Sequence, residues 1–208
     1  MSASLIEQPR TTDRAARIAV LAIPSAVRPI VSVEDFQRLC AANGELRLER
    51  TARGELIVMS PAGSESGLRN ARLTTRLGVW AEADGTGLAF DSSAGFTLPN
   101  GAIRAPDASW IRKERWEALS AKSRKGFAPI CPDFAVELCS PSDTFQAGSE
   151  KMGEYLDNGA RLGWLIDPES GKVAVYRPGR EVETLNRPTS LSGEDVLPGF
   201  VLDLKGIL

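Results

Sequence analysis

Two short apolar stretches each carry one acid, and a lysine follows them. Asp107 lies in Arg104-Ala-Pro-Asp-Ala-Ser-Trp-Ile-Arg112, Glu137 lies in Pro132-Asp-Phe-Ala-Val-Glu-Leu-Cys-Ser140, and Lys151 comes further on. A carboxylate buried in a strand is costly unless a charge or hydrogen bonds compensate it. Two such acids meeting beside an ammonium group would suit a hard divalent cation held by oxygens, with the lysine to orient water or to face developing negative charge. Plainer readings exist for each residue. Asp107 after Pro106 could cap a turn, and Lys151 could be a solvated helix residue. Glu137, a lone acid in a Val/Leu strand, is the hardest to explain structurally.

The composition narrows the chemistry. The 208 residues include no histidine, which excludes Ser-His-Asp and Cys-His nucleophiles and histidine-ligated zinc. Carboxylate ligands favour Mg²⁺ or Mn²⁺. The formal charge of −2 gives no global field for nucleic acid, so any such contact must be a local basic patch. The three cysteines, Cys40, Cys131 and Cys139, form no C-x-x-C pair and fit a reducing, cytoplasmic setting. No stretch is long and apolar enough to suggest a membrane span.

These side chains need elements to position them. Residues 1–30 read as a tail and arm, and 31–208 as a single domain. Ser32 and Asp35 resemble a capping box opening a helix to about 42. Leu46, Leu48, Leu56 and Val58 alternate around Thr51-Ala-Arg-Gly54 as a β-hairpin. Residues 64–84 carry apolar side chains at helical spacing, and Gly85-Thr-Gly87 ends them. Arg69, Arg72 and Arg76 share a face of that helix. They could track a DNA backbone, or form a solvated face balanced by Glu82 and Asp84.

Strands are expected at 88–91 and 95–98, then at 102–111 after the turn Pro99-Asn-Gly101, the last carrying Asp107. A helix at 113–119 and a basic loop at 120–126 come next, with the spacing from Asp107 to Glu137 long enough for a helical crossover. Residues 134–138 form a strand covered on both faces. Ser140-Pro-Ser142 would turn the chain and cap a helix at 144–158, and strands at 162–166 and 172–176 pair around Pro168-Glu-Ser-Gly171. One or two edge strands finish the chain. The fold class is therefore α/β, a mixed β-sheet flanked by α-helices.

Pro106-Asp107, Glu137-Leu-Cys-Ser-Pro-Ser142 and Lys151-Met-Gly-Glu-Tyr155 closely resemble the Uma family of proposed endonucleases, within the PD-(D/E)XK restriction-endonuclease-like superfamily. Further matches are Gly54-Glu-Leu-Ile-Val-Met-Ser-Pro61, Asn158-Gly-Ala-Arg-Leu-Gly-Trp-Leu-Ile-Asp-Pro168 and Leu197-Pro-Gly-Phe200. The resemblance implies a restriction-endonuclease-like fold and Mg²⁺- or Mn²⁺-dependent hydrolysis of nucleic acid, DNA above all. Asp107 and Glu137 would be the metal ligands, and a homodimer would serve to cut both strands. The superfamily's simplest signature has a lysine two residues after Glu137, where this chain has Cys139. In the Uma family the following helix supplies the lysine, at the place of Lys151. Glu49 stands where the family has an acid on its first strand. Many members carry a histidine after Met-Ser-Pro; this chain has Gly63-Ser-Glu-Ser-Gly67, so either Glu65 substitutes or the site is weaker. A nuclease scaffold retained for nucleic-acid binding or assembly, with little activity, is the competing expectation.

Overall fold

In this computed structural model residues 29–208 are described, apart from Ser142. The expected arm at 1–30 therefore falls almost wholly outside the described residues.

Helix α1 (Val33–Ala42) starts where the Ser32 hydroxyl accepts the Asp35 amide and donates to its carboxylate. Strands β1 (Arg47–Arg50) and β2 (Leu56–Met59) form the hairpin, with Leu48 opposite Val58. The face is reversed from what the leucines imply. Leu46 and Val58 stay exposed while Glu49, on the other face, is buried. The cations awaiting Glu49 decide this, because an exposed leucine costs less than an acid left buried and unpaired.

Helix α2 (Ser64–Asp84) buries Leu73, Leu77 and Ala81 and ends at Gly85, whose φ of +70° few other residues tolerate. Strand β3 (Gly87–Asp91) follows, then β4 (Phe96–Thr97) and β5 (Ile103–Arg104), joined through the expected turn. The expected single strand at 102–111 is two strands. Ala105-Pro106-Asp107 interrupts it, since proline supplies no amide hydrogen to a ladder, and β6 (Ala108–Arg112) resumes in a different sheet. Asp107 thus sits at the junction of two sheets.

Short helices α3 (Lys113–Glu117) and α4 (Ala121–Arg124) come next; the latter, capped by Ser120, lies within the expected basic loop. Strand β7 (Phe134–Leu138) pairs antiparallel with β6, so the link from Asp107 to Glu137 is not the expected crossover. The crossover comes one step later: α5 (Phe145–Asp157) joins β7 to its parallel neighbour β8 (Leu162–Asp167). Thr144, rather than the expected Ser140–Ser142 segment, caps α5 by accepting the Ala147 amide; Ser140 and Asp143 close the preceding turn on each other. Strands β9 (Lys172–Tyr176), β10 (Glu183–Asn186), β11 (Ser190–Ser192) and β12 (Val201–Asp203) complete the chain.

The main sheet has the order β10-β9-β8-β7-β6-β3 and is mixed; a smaller sheet runs β2-β1-β5-β4, and β11-β12 form a separate ribbon. Alternation along the central strands sorts side chains to two cores. Ala108, Trp110, Phe134, Val136 and Trp164 pack toward α2 and the C-terminal ribbon, where Phe200 lies against Trp80 and Trp164. Ile111, Ala135 and Leu165 pack toward α5 with Met152 and Tyr155. Glu137 shares that second face by parity.

Two glycines let α5 lie close to the sheet. A Cβ on Gly148 would stand 2.6 Å from Leu165 Cδ1, and one on Gly163 would stand 2.9 Å from Met152 Sδ. Gly163→Val is expected to cost about 1–3 kcal/mol by overpacking and to lift α5 with Lys151. Urea unfolding checks it; a wild-type midpoint would show that the close approach carries no weight.

Candidate active site

The ladder between β6 and β7 sets the first contact. Ala108 is opposite Val136, and one further step along the same register puts Asp107 opposite Glu137. The Leu138 amide donates to Asp107 Oδ2 at 2.9 Å, which pins the aspartate beside the glutamate's strand. Helix α5 crosses above and presents Lys151 and Tyr155, one turn apart, to Glu137. Lys151 Nζ lies 2.8 Å from Glu137 Oε1, and Tyr155 Oη donates to the same oxygen at 3.0 Å.

The hairpin completes the cluster from the second sheet. Glu49 Oε1 accepts from Lys151 Nζ at 2.8 Å and from the Ala105 amide at 2.9 Å, while its Oε2 accepts from Arg104 Nη1 at 3.1 Å. Arg104 also donates through Nε to Glu154 Oε2 at 2.6 Å, and Asn100 holds the other Glu154 oxygen. Lys151 therefore bridges two acids that are 88 positions apart in the chain. Glu49, Asp107, Glu137 and Lys151, all expected from the sequence, converge.

Other expected residues do not. Arg69, Arg72 and Arg76 lie on α2, across the sheet from α5. Arg69 pairs with Glu65 and Glu169, while Arg72 and Arg76 donate to the carbonyls of Gly206, Asp203 and Lys205. They tie the C-terminal segment to the helix. Glu65, standing near the family's histidine position, is largely exposed and bound to Arg69.

A family model named Uma2 and described as "Putative restriction endonuclease" matches residues 33–205. The chain belongs to the Uma2 family. A crystal structure of a protein described as a "putative nuclease belonging to DUF820", from Anabaena variabilis, shares the fold with a TM-score of 0.66. The two are 21% identical, and the match covers 78% of this chain and 90% of that one. The mixed α/β architecture is thus that of a nuclease-like fold. No curated protein matches the chain.

The electrostatics of the cluster are those of three buried acids, Glu49, Asp107 and Glu137, whose charge Lys151, Arg104 and Arg47 compensate unequally. Burial raises the Asp107 carboxyl above its ordinary range, against the Leu138 amide and the positive charges of Lys151 and Arg47. Burial lifts Glu137 to about 7; Lys151 opposes the rise, and the nearby charges of Asp107 and Glu49 add to it. Burial works against Glu49 too, but Lys151 and Arg104 outweigh it and hold this carboxyl below its ordinary value. Lys151 is raised despite its burial, because Glu137 and Glu49 flank it, which favours its ammonium form. Two residues after Glu137, burial pushes the Cys139 thiol up to about 12, which keeps it uncharged.

The donor set fits a hard divalent cation. Among the described residues Asp107 Oδ1 has one ion pair, with Arg47 at 3.9 Å, and no hydrogen bond, and Glu137 Oε2 carries no hydrogen bond either. These two oxygens belong to the acids whose charge is least compensated. Among the described residues no group of three or more acids or cysteines forms a ready cage. Mg²⁺ needs none, since one or two carboxylates with waters and substrate oxygens complete its shell.

Arg47, Arg104, Glu154 and Tyr155 are site residues that sequence reasoning did not single out. Tyr155 stood in a quoted motif but had no role assigned. Its value as a buried donor to Glu137 rests on the one-turn spacing from Lys151, a signal that was present.

Proposed function

We propose that this Uma2 protein is a Mg²⁺- or Mn²⁺-dependent endonuclease of PD-(D/E)XK type that hydrolyses a DNA phosphodiester. The observation that carries the proposal is the meeting of Asp107 and Glu137 in register beneath the Lys151 ammonium. Asp107 Oδ1 and Glu137 Oε2 would hold the cation. Such an ion, when bound, supplies Lewis acidity toward a phosphoryl oxygen and acidifies water. Lys151 presents a fixed positive charge to the negative charge that develops on the phosphorane oxygens. Glu49 and Tyr155 position: one anchors the ammonium, the other fixes the rotamer of Glu137. Arg69, Arg72 and Arg76 are engaged within the chain, and the proposal does not rely on them.

Three cysteines without disulfides suit a reducing cytoplasm, and among the described residues no helix is long and apolar enough to cross a membrane. A homodimer would allow both strands of a duplex to be cut.

One observation favours a second reading, a scaffold that binds without cutting. Lys151 already sits between Glu49 and Glu137 and neutralises part of the acid cluster by itself. Two measurements decide. The purified protein should nick supercoiled plasmid in Mn²⁺, and Asp107→Asn should abolish it. Mn²⁺ at about 100 times its dissociation constant should stabilise the fold by about 2.7 kcal/mol, a gain lost in Asp107→Asn. Stabilisation without nicking would select the scaffold reading, and neither effect would end the metal-site proposal.

A further inference from the structure

The cluster holds three cations, and their engagement differs. Lys151 contacts Glu49 and Glu137, with a side-chain exposure of 17%. Arg104 is held between Glu49 and Glu154 at 11% exposure. Arg47, two residues before Glu49 on β1 and therefore on the same face, is exposed to 39%. One of its nitrogens, Nη2, donates to the Ser92 carbonyl at 3.0 Å and stands 3.9 Å from Asp107 Oδ1. A guanidinium offers five N–H donors, and among the described residues Arg47 Nε and Nη1 carry no hydrogen bond. The carbonyl contact anchors the group at Nη2 and leaves Nε and Nη1 available.

Beyond the divalent ion, an anionic backbone approaching Asp107 and Glu137 needs positive charge, and the two inner cations are already committed to carboxylates. Of the cluster's three cations among the described residues, Arg47 is the most exposed, and its charged Nε–H and Nη1–H groups are still available. We infer that Arg47 is a substrate-binding residue whose unengaged guanidinium N–H groups donate to a non-bridging oxygen of the phosphodiester presented to Asp107 and Glu137. The inference rests on the endonuclease reading and adds to it the group that receives the backbone. A guanidinium N–H gives phosphate a charge-assisted bond of fixed direction, which an ammonium on a flexible stem does not reproduce. A purely structural role for Arg47 would be slight, since it amounts to one hydrogen bond to the Ser92 carbonyl and a partly exposed ion pair at 3.9 Å.

The test is binding of a short fluorescein-labelled DNA duplex to the full chain in Ca²⁺, followed by anisotropy over a range of salt, beside cleavage in Mn²⁺. Arg47→Ala should weaken binding about tenfold or more and reduce the slope of log K against log salt by about one. Arg47→Lys should restore the slope but only part of the affinity, and both variants should keep the wild-type thermal midpoint. Equal affinity and slope for wild type and Arg47→Ala would overturn the inference, as would a loss matched by a fall in thermal midpoint or a wild type that binds no duplex. Cleavage separates the two ideas. A wild type that cuts while Arg47→Ala binds and cuts equally well overturns only the role of Arg47. A wild type that binds through Arg47 but never cuts overturns only the hydrolytic reading.

Discussion

Lys151→Met is expected to lower stability by about 3–5 kcal/mol and to reduce Mn²⁺-dependent nicking by about 100-fold or more. The stability loss follows from what remains. Glu49 and Glu137, with side-chain exposures of 3% and 12%, would face each other near Asp107 without the ammonium that bridges them. Methionine keeps most of the packing volume, so the loss reports charge and not a cavity. A double variant adding Glu49→Gln should recover part of the stability, because one of the two stranded charges is then gone, but no activity. Mn²⁺ should stabilise Lys151→Met more than wild type, since a second cation then has the cluster to itself. Urea unfolding with and without Mn²⁺ checks these outcomes. A wild-type urea midpoint for Lys151→Met would contradict the view that this ion pair organises the site.

Arg104→Leu should cost a similar amount, about 3–5 kcal/mol, for a related reason. Its guanidinium joins Glu49 on the first hairpin to Glu154 on the crossover helix, and among the described residues Glu49 Oε2 accepts no other hydrogen bond. The effect on catalysis is indirect. Glu49 would turn, the Lys151 ammonium would lose its anchor, and a displacement of about 1 Å at the reacting groups costs about 100-fold in rate. Asp107 and Glu137 are untouched by the change, so the Mn²⁺-dependent gain in thermal midpoint should survive in Arg104→Leu while nicking falls. Loss of both together would place Arg104 among the cation's own supports instead.

Both variants act through contacts between the small sheet and α5, and those contacts were the least legible part of the chain. Local signals served well where the physics is local. The helix over 64–84 was marked by apolar spacing and ended by Gly85, the hairpin by alternation around its turn, and the strand carrying Glu137 by an apolar run broken by one acid. Pro106 was also visible, yet its consequence was underread, because a break in a ladder is also a place where a chain changes sheets. The hairpin's buried face was misleading for a different reason. Alternating leucines imply an apolar core side, whereas Glu49 faces inward because Arg104 and Lys151, 55 and 102 positions away, meet it there.

Residue types alone determined much of the chemistry available to this chain. With no histidine and no paired cysteines, it had carboxylates, a lysine and arginines to work with, which suit a hard cation, and the motifs around Asp107, Glu137 and Lys151 implied hydrolysis of phosphodiesters through their resemblance to the Uma family. Tertiary structure decided which charges meet and which are already occupied. It joined Glu49 to Lys151, held Arg104 between two acids, paired Arg69 with Glu65 and Glu169, turned Arg72 and Arg76 to the C-terminal carbonyls, and left Arg47 Nε and Nη1 without a hydrogen bond among the described residues. The reason is physical: propensity and periodicity act over a few residues, but the cost of a buried charge is settled by whichever partner the fold brings within about 3 Å.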